Sequence, residues 1–353
     1  MLALVYSDEY RKLDFGPGHP MRGDRYEKAF GVFREKGLLD SGQVLIEAPR
    51  EATFEELTAF HTPEYVERLR KLSEVGIGAI TPDTPVFPGI YEAGALSVGG
   101  SIRAMELVTG GSYDVAGNPC GGWHHAFAET GRGFCIFNDI AVIVRLMLAR
   151  GIERIAVLDI DAHHGDGTQR AFYDTNKVLT ISFHQDPRTL YPYVSGFVGE
   201  KGEGEGMGYN FNVPMPPRAV DVDFIYAFDA VVPPVLRAYR PQVLVLQMGV
   251  DGHCSGVVSN LSYSLKSFDY ASRVLAGLRK DFGFKVIFLG GGGFVHPTLG
   301  LGWGVQIANL ASVPFEVNLE EDAVRCGDRG EPIGIVKSTV ARLVPRIEWL
   351  EIG

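Results

Sequence analysis

The sequence predicts an α/β protein built on a mostly parallel sheet, and three observations support this fold class. Short apolar segments rich in β-branched residues recur along the 353 residues, and helical patterns separate them. Several of the apolar segments are nearly continuous, as expected of strands that are buried on both faces of a parallel sheet. The alternation of strands with helices is itself typical of parallel sheets.

Six segments are predicted as strands because they are apolar and rich in β-branched residues. They comprise residues 2–6, 113–117, 154–160, 178–183, 243–248 and 285–289. In open parallel sheets, ligands bind beyond the carboxyl ends of the strands. We therefore expect functional side chains in the loops that directly follow these segments.

The helices between the strands are predicted from capping residues and apolar periodicity. Thr53 and Glu56 have the spacing of a capping box, and Thr62 followed by Pro63 predicts an N-cap before a proline at the first helical position. Three longer helices are predicted over residues 140–150, 223–239 and 266–280. Pro233 and the proline after it are expected to kink or break the second of these helices.

The composition excludes several classes of protein. With 46% hydrophobic and 22% charged residues, the chain is globular rather than disordered. The formal net charge of −10 disfavours nonspecific binding to nucleic acid or to an anionic membrane. No apolar run approaches the ~18 residues of a membrane span, and the N-terminus lacks the basic region of a signal peptide. We therefore expect a soluble, cytoplasmic protein in a reducing compartment.

The cysteines give no indication of a cross-linked or thiolate-bound structure. The four of them, Cys120, Cys135, Cys254 and Cys326, form no C-x-x-C pair. This spacing predicts neither a disulfide framework nor a thiolate zinc module. For Cys254 in particular, a buried and inert thiol is the expected state.

The histidines concentrate after the predicted strands. Those that do so are His124, His125, His163, His164, His184, His253 and His296, which leaves only two of the nine elsewhere. Asp159, Asp161 and His163 alternate along one strand and its end, so their side chains can converge there. Carboxylate oxygen with imidazole nitrogen is a donor set suited to zinc. Singly, such residues are more often caps or packing residues, but Asp/His sets at three strand ends favour a metal site.

These motifs closely resemble those of the zinc-dependent histone deacetylase superfamily, which includes acetoin-utilisation proteins and acetylpolyamine amidohydrolases. The matching segments are residues 19–21, 25, 83–89, 121–126, 133–139, 159–167, 251–253 and 290–294. The resemblance spans roughly residues 1–310 and implies a three-layer α/β/α, arginase-like fold with a central eight-stranded sheet. Because no linker, repeat or charge block divides the chain, we expect one catalytic domain over residues 1–353.

The resemblance also implies two metal sites. One catalytic Zn²⁺ would be held by Asp161, His163 and Asp251, which leaves a coordination position for water and substrate. A structural K⁺ would use Asp159, Asp161, His163, Ser182 and Phe183. Whether the native catalytic metal is zinc rather than iron or cobalt is left open.

The implied chemistry is hydrolysis of an acyl amide by metal-activated water. His124 and His125 would be the acid/base pair, with Asp159 and Asp166 orienting them. The residues implied to contact the substrate or to line its channel are Arg25, Asp83, Gly133, Phe134, Tyr191 and Gly292. The substrate would be acetyl-lysine in a peptide or a small acetylated amine such as an acetylpolyamine, and a homo-oligomeric state is left open.

One residue departs from the family pattern. Phe294 follows the glycine run where most active members have a tyrosine, whose hydroxyl donates to the oxyanion. Phe294 is compatible with a native residue and with an engineered Tyr→Phe replacement, and it predicts attenuated turnover. Two alternatives therefore stay open: a protein that binds acyl-lysine or an acyl-amine with little turnover, and an arginase-like dinuclear Mn hydrolase. The second would need an aspartate where His253 stands.

Overall fold

The computed structural model describes residues 1–352, and within them eight strands form one parallel sheet. The strands are β1 (Leu2–Val5), β2 (Val44–Glu47), β5 (Val115–Asn118), β6 (Ile155–Asp159), β7 (Val178–Gln185), β8 (Asn210–Met215), β9 (Val243–Gln247) and β10 (Lys285–Leu289). Their order across the sheet is β2-β1-β5-β10-β9-β6-β7-β8, with parallel neighbours throughout. Two short strands, β3 (Ala79–Thr81) and β4 (Thr84–Pro85), form a separate antiparallel pair.

Eleven α-helices accompany the strands within the described residues. They are α1 (Asp24–Glu35), α2 (Phe54–Leu57), α3 (Pro63–Val75), α4 (Ile90–Thr109), α5 (Asp139–Ala149), α6 (Asp166–Ala171), α7 (Asp221–Tyr239), α8 (Leu265–Phe282), α9 (Thr298–Ala311), α10 (Leu319–Cys326) and α11 (Gly334–Ile352). With the central sheet they make the three-layer α/β/α arrangement that the sequence predicts. No helix among residues 1–352 is long and apolar enough to cross a bilayer.

The six predicted strands are all present in the main sheet, and the two strands of this sheet that were missed lie at its edges; the short pair β3 and β4 was not predicted either. β2 exposes part of its side chains, and β8 interrupts its apolar residues with Asn210 and Asn212. Pro214 also lies in β8, where an edge strand tolerates a residue without an amide donor. β8 therefore lacks the continuous apolar character of the inner strands, whereas β2 offers only three consecutive apolar residues before Glu47.

The predicted helix starts are confirmed, and of the kink or break predicted in α7 the break does not occur. Thr53 and Glu56 form the capping box, and the Thr62 hydroxyl accepts from the third residue of α3. α7 continues through Pro233 and the proline after it as one helix of 19 residues. Buried valines on either side of the prolines, Val232 and Val235 among them, hold the helix against the core, and packing outweighs the local cost.

The strand order brings four loops together. β5, β10, β9 and β6 are consecutive neighbours in the middle of the sheet, so the segments that follow them share one edge. These segments carry the predicted His pair, the glycine run, Asp251 and the Asp161–His163 pair. The prediction of a single domain over residues 1–353 stays a prediction.

Candidate active site

Three predicted metal ligands converge at the end of β6 and in the loop after β9. His163 Nδ1 lies 2.9 Å from Asp251 Oδ2 and 3.1 Å from Asp161 Oδ1. Both carboxylates are 2% exposed, and within residues 1–352 their ion pairs involve only histidines. Two buried carboxylates without a Lys or Arg partner are costly unless a cation joins them. The donor set of two carboxylates and one imidazole therefore fits Zn²⁺.

Backbone and amide donors fix the direction of the two carboxylates. Oδ2 of Asp161 accepts 2.8 Å hydrogen bonds from the side chain of Gln247 and from the Gly292 amide. Oδ1 of Asp251 accepts from the Ala162 amide at 2.8 Å. A Cβ at Gly292 would lie 2.5 Å from Asp251 Oδ2, so this position requires glycine. The backbone of the glycine run thus lies directly against the metal-ligating carboxylates.

The two predicted catalytic histidines lie side by side, each with its own carboxylate. His124 Nδ1 is 2.6 Å from Asp159, and His125 Nδ1 is 2.8 Å from Asp166. The ring centroids are 4.1 Å apart, and both rings are almost fully buried. Because each Nδ1 faces a carboxylate acceptor, Nε2 is the ring nitrogen that each histidine can offer to a molecule bound in the cavity.

The surroundings move the pKa values of the two imidazoles in opposite directions. Burial alone would lower the pKa of His124, but the charges of Asp159 and Asp161 outweigh it and raise the pKa to about 9. Burial lowers the pKa of His125 well below its usual value, and the neighbouring His124 and His163 lower it further. The arrangement favours one protonated and one neutral ring, as an acid/base pair requires.

A cavity of about 350 Å³ opens above these groups. Its walls are mostly apolar, with Phe134, Tyr191 and Phe294 among them. The rings of Phe134 and Phe294 meet edge to face with centroids 6.1 Å apart. Asp83 also lines the cavity, and one of its carboxylate oxygens accepts from the hydroxyls of Thr81 and Thr84. A narrow apolar channel with a polar residue beside it suits an extended acyl-amine chain.

The structure brings most of the sequence-predicted residues into this one cavity. Those that line it are Arg25, Asp83, His124, His125, Gly133, Phe134, Asp161, His163, Tyr191, Asp251, Gly292 and Phe294. Asp159 and Asp166 lie behind the histidines. Ser182 pairs in register with Asp159, whereas the Phe183 ring packs in the core against Phe224. Potassium binding at these residues stays a prediction.

Two residues that position side chains of the site were not predicted from the sequence. Arg132 lies 2.8 Å from Asp166 and donates from Nε to the Tyr191 hydroxyl at 2.7 Å. Gln247, at the end of β9, orients Asp161. Neither belongs to a residue pattern that marks a site, although Arg132 directly precedes the matched segment 133–139.

His253 does not face the metal ligands. Its Nε2 lies 3.0 Å from Asp322, and its Nδ1 lies 2.9 Å from the Ser255 hydroxyl. A dinuclear site would need a carboxylate at this position and directed toward Asp251. The geometry therefore provides one group of metal-ligating side chains in the cavity rather than two.

The cysteine predictions need correction. Cys254 and Cys326 form a disulfide, although 71 residues separate them and no C-x-x-C spacing marks the pair. Spacing rules detect pairs that are close in the chain, whereas this pair is brought together by the packing of α10 on the loop after β9. Cys120 and Cys135 are free and buried.

Comparison with known proteins shows which family has this site. The model of the histone deacetylase domain matches residues 19–310. The chain belongs to the histone deacetylase family. The match covers the four strand-end segments that build the cavity, and it ends before α10 and α11.

Relatives across the histone deacetylase family agree in sequence and in fold. A probable deacetylase of Archaeoglobus fulgidus is 35% identical over 295 residues, which cover 82% of this chain and 80% of the relative. The acetoin utilization protein AcuC of Bacillus subtilis is 35% identical over 301 residues, covering 82% and 77%. The crystal structure of an HDAC homolog from Aquifex aeolicus superimposes with a TM-score of 0.86 at 29% identity, covering 97% of this chain and 99% of that one.

Proposed function

We propose that this protein is a zinc-dependent amidohydrolase that removes an acetyl or related acyl group from acetyl-lysine or from a small acetylated amine. The observation that carries the proposal is the placement of two carboxylate-bound histidines beside Asp161, His163 and Asp251. All five open onto one apolar cavity in a member of the histone deacetylase family. An acid, a base and a metal site within one channel are the parts that amide hydrolysis needs.

Asp161, His163 and Asp251 would hold the metal through the convergent atoms described above. Zn²⁺ supplies, when bound, polarisation of an amide carbonyl and a lowered pKa for water. With three protein ligands, the site keeps a position for substrate. Gln247 and the Gly292 amide keep Asp161 in its binding direction.

The two histidines divide the proton transfers. His125, whose low pKa favours the neutral ring, takes the proton of the attacking water at Nε2. His124, whose raised pKa favours the protonated ring, places a positive charge next to the reacting carbonyl. The departing amine takes its proton from an imidazolium of this pair. Asp159 and Asp166 hold the rings so that both Nε2 atoms face the cavity.

The cavity walls select an extended substrate. Phe134 and Tyr191 would flank the methylene chain that carries the amide, and Asp83 would accept a hydrogen bond from a substrate N–H. Arg25 lines the inner part, where its guanidinium donates to the Gly291 carbonyl. The net charge of −10 would attract a cationic amine to the protein surface.

Phe294 is the specific reason to retain a second candidate function. Its ring lies in the cavity wall and offers no hydroxyl to a developing oxyanion. Loss of one such donor costs on the order of 10²–10³ in kcat. We therefore propose attenuated turnover, and the second candidate is a protein that binds acyl-lysine or an acyl-amine with little hydrolysis.

A substrate screen separates the two functions. Zinc-loaded protein and the Phe294→Tyr variant are assayed together for release of the acid from acetyl-lysine peptides, acetylpolyamines and longer acyl-lysines. An amidohydrolase releases acid from at least one class, and Phe294→Tyr releases it faster. Saturable binding of the same compounds without acid release from either protein would favour the binding function. Neither binding nor release would contradict both.

A further inference from the structure

A second cluster of metal-ligating side chains lies where the loop after β9 meets α10. It consists of His253, Cys254, Asp322 and Cys326, and we refer to it as the Cys254–Cys326 cluster. His253 Nε2 is 3.0 Å from Asp322 Oδ2 and 3.9 Å from Cys326 Sγ. The ligand atoms of His253 and the two cysteines all lie within 4.8 Å of one another. None of the four residues lines the acyl cavity.

The cluster joins a loop inside the matched family domain to a helix beyond the end of the match. His253 and Cys254 belong to the loop that carries Asp251, inside the matched family domain. Asp322 and Cys326 lie on α10, beyond residue 310 where the family match ends. The deacetylase chemistry therefore does not account for the cluster.

The cysteines of the cluster are joined as a disulfide with Cα atoms 5.4 Å apart. Cys254 is half-buried, whereas His253 and Cys326 are buried, so Cys254 is the residue from which a small dithiol would approach the bond. Opening the bond would leave two sulfurs and one imidazole nitrogen within 4.8 Å of one another, with the Asp322 carboxylate 3.0 Å from that nitrogen as a fourth donor. Four ligands of these types form a structural zinc site.

We propose that the Cys254–Cys326 cluster is a redox-gated zinc site. A dithiol reduces the disulfide to two thiols and is itself oxidised to a disulfide. One Zn²⁺ then binds Cys254, Cys326, His253 and Asp322, and the two thiols release two protons. In the oxidised chain the sulfurs are bonded to each other and the site is closed to zinc.

The surroundings of His253 and Asp322 suit this ligand set. The Ser255 amide donates to His253 Nδ1 at 3.1 Å, and the Ser255 hydroxyl lies 2.9 Å from the same nitrogen. In the oxidised chain Nε2 therefore carries the proton and donates to Asp322 Oδ2. Zinc binding at Nε2 would move this proton to Nδ1, where the Ser255 hydroxyl can accept a hydrogen bond from it. The Leu265 amide donates to Asp322 Oδ2 at 2.8 Å, and Arg325 pairs with Oδ1. These contacts fix the carboxylate so that Oδ2 stays directed at the imidazole.

The absorption spectrum of bound Co²⁺ distinguishes this site from the proposed catalytic metal site. Thiolate-bound Co²⁺ absorbs in the near ultraviolet by charge transfer, and the proposed catalytic ligands include no thiolate. The catalytic site is first filled with Zn²⁺ in the oxidised protein, and excess metal is removed. Co²⁺ is then titrated into this protein and into the same protein treated with a dithiol, with the reductant removed anaerobically. We expect the band to appear only in the reduced protein and to saturate at one equivalent. In the same protein, Zn²⁺ should raise the unfolding temperature and abolish the band.

Single substitutions test which side chains of the Cys254–Cys326 cluster bind the metal. Cys326→Ser should abolish the band, and Cys120→Ala, which changes a buried free cysteine elsewhere, should keep it. Asp322→Asn keeps both cysteines and should weaken Co²⁺ binding at least about tenfold. The proposal is overturned if reduced protein with two additional titrated thiols shows no band, or if Cys326→Ser keeps it. A disulfide that the dithiol cannot open in the folded chain also overturns it.

Discussion

His125 donates from Nδ1 to Asp166 at 2.8 Å, and the second oxygen of that carboxylate lies 2.8 Å from Arg132. One oxygen of Asp166 thus contacts the imidazole, and the other contacts the permanently charged guanidinium of Arg132. Burial raises the pKa of Asp166 to about 6, even though Arg132 acts in the opposite direction. The Arg132 charge also contributes to the low pKa of His125. The arginine therefore helps to keep the proposed base neutral.

Removing the Arg132 charge should change the pH dependence of the reaction. In Arg132→Gln, loss of a nearby positive charge favours the protonated imidazole, so the pKa of His125 rises. We expect the acidic limb of the kcat/KM profile to move to higher pH by up to about one unit. The profile is measured in the Phe294→Tyr background. Arg170→Gln, which removes an exposed arginine paired with Glu129, should leave the limb in place. A limb unmoved by Arg132→Gln contradicts the role given to Arg132.

Restoring a hydroxyl at position 294 should increase turnover. Phe294→Tyr places a donor in the wall of the cavity beside the metal ligands. We expect hydrolysis of an acetyl-lysine reporter to rise at least ~10²-fold, since one oxyanion donor has about this effect. Zinc content, measured on the same samples, should not change. An unchanged rate at equal zinc content would show that the missing donor does not limit the enzyme.

Each carboxylate of the metal group should be required for zinc. Asp161→Ala or Asp251→Ala leaves two protein ligands, which rarely hold the ion. We expect loss of bound zinc by elemental analysis and loss of activity, with the fold checked by circular dichroism. Asp83→Ala serves as the matched control because it removes a cavity carboxylate outside the metal group, and it should keep zinc. Full zinc occupancy in Asp251→Ala would mean that the ligand assignment is wrong.

His61 should make the stability of the fold depend on pH below neutrality. The ring is buried, accepts from the Asn138 amide at 2.9 Å, and lies 3.3 Å from the Ala128 carbonyl. Burial lowers its pKa from 6.5 to about 4. The unfolded chain therefore binds the proton more readily, so this contribution is complete above about pH 6.5 and is lost as the pH falls toward 4.

The size of the His61 effect follows from the same pKa shift. Between pH 7.5 and pH 5 the lowered pKa corresponds to a loss of roughly 2 kcal/mol in the free energy of unfolding. His61→Gln, which cannot titrate, should lose correspondingly less over this interval. Urea unfolding at the two pH values measures the difference. An equal pH dependence of both proteins would exclude His61 as its source.

The inner strands and the gathering of aspartates and histidines at their ends could be predicted from the sequence, whereas the roles of those residues rest on the family resemblance and stay predictions. β6 and β9 are continuous apolar segments, and their last residues lead directly to Asp161 and Asp251. The edge strand β8 was missed because asparagines and a proline interrupt its apolar residues, and β2 was missed because only three apolar residues precede Glu47. The sequence pattern also overestimated the helix-breaking effect of Pro233. Its helix α7 continues because buried residues pack it against the core, and this packing is known only from the tertiary structure.

Contacts between residues that are distant in the chain could not be predicted from the sequence, for a different reason. Arg132 contacts Asp166 from another loop, and Cys326 reaches Cys254 from a helix outside the matched domain. Each pair depends on how two distant segments pack, and neither residue type marks its partner in advance. The histidine cluster could be predicted because the geometry of a parallel sheet gathers strand ends whatever the detailed packing.

The central claim is that Asp161, His163 and Asp251 support amide hydrolysis by the histidine pair. The most direct test is release of acetate from an acetyl-lysine peptide by zinc-loaded Phe294→Tyr, compared with the same variant carrying His125→Ala. We expect acetate release that depends on zinc and falls by at least ~10²-fold without His125. Acetate release that persists without zinc, or that is unaffected by His125→Ala, would contradict it.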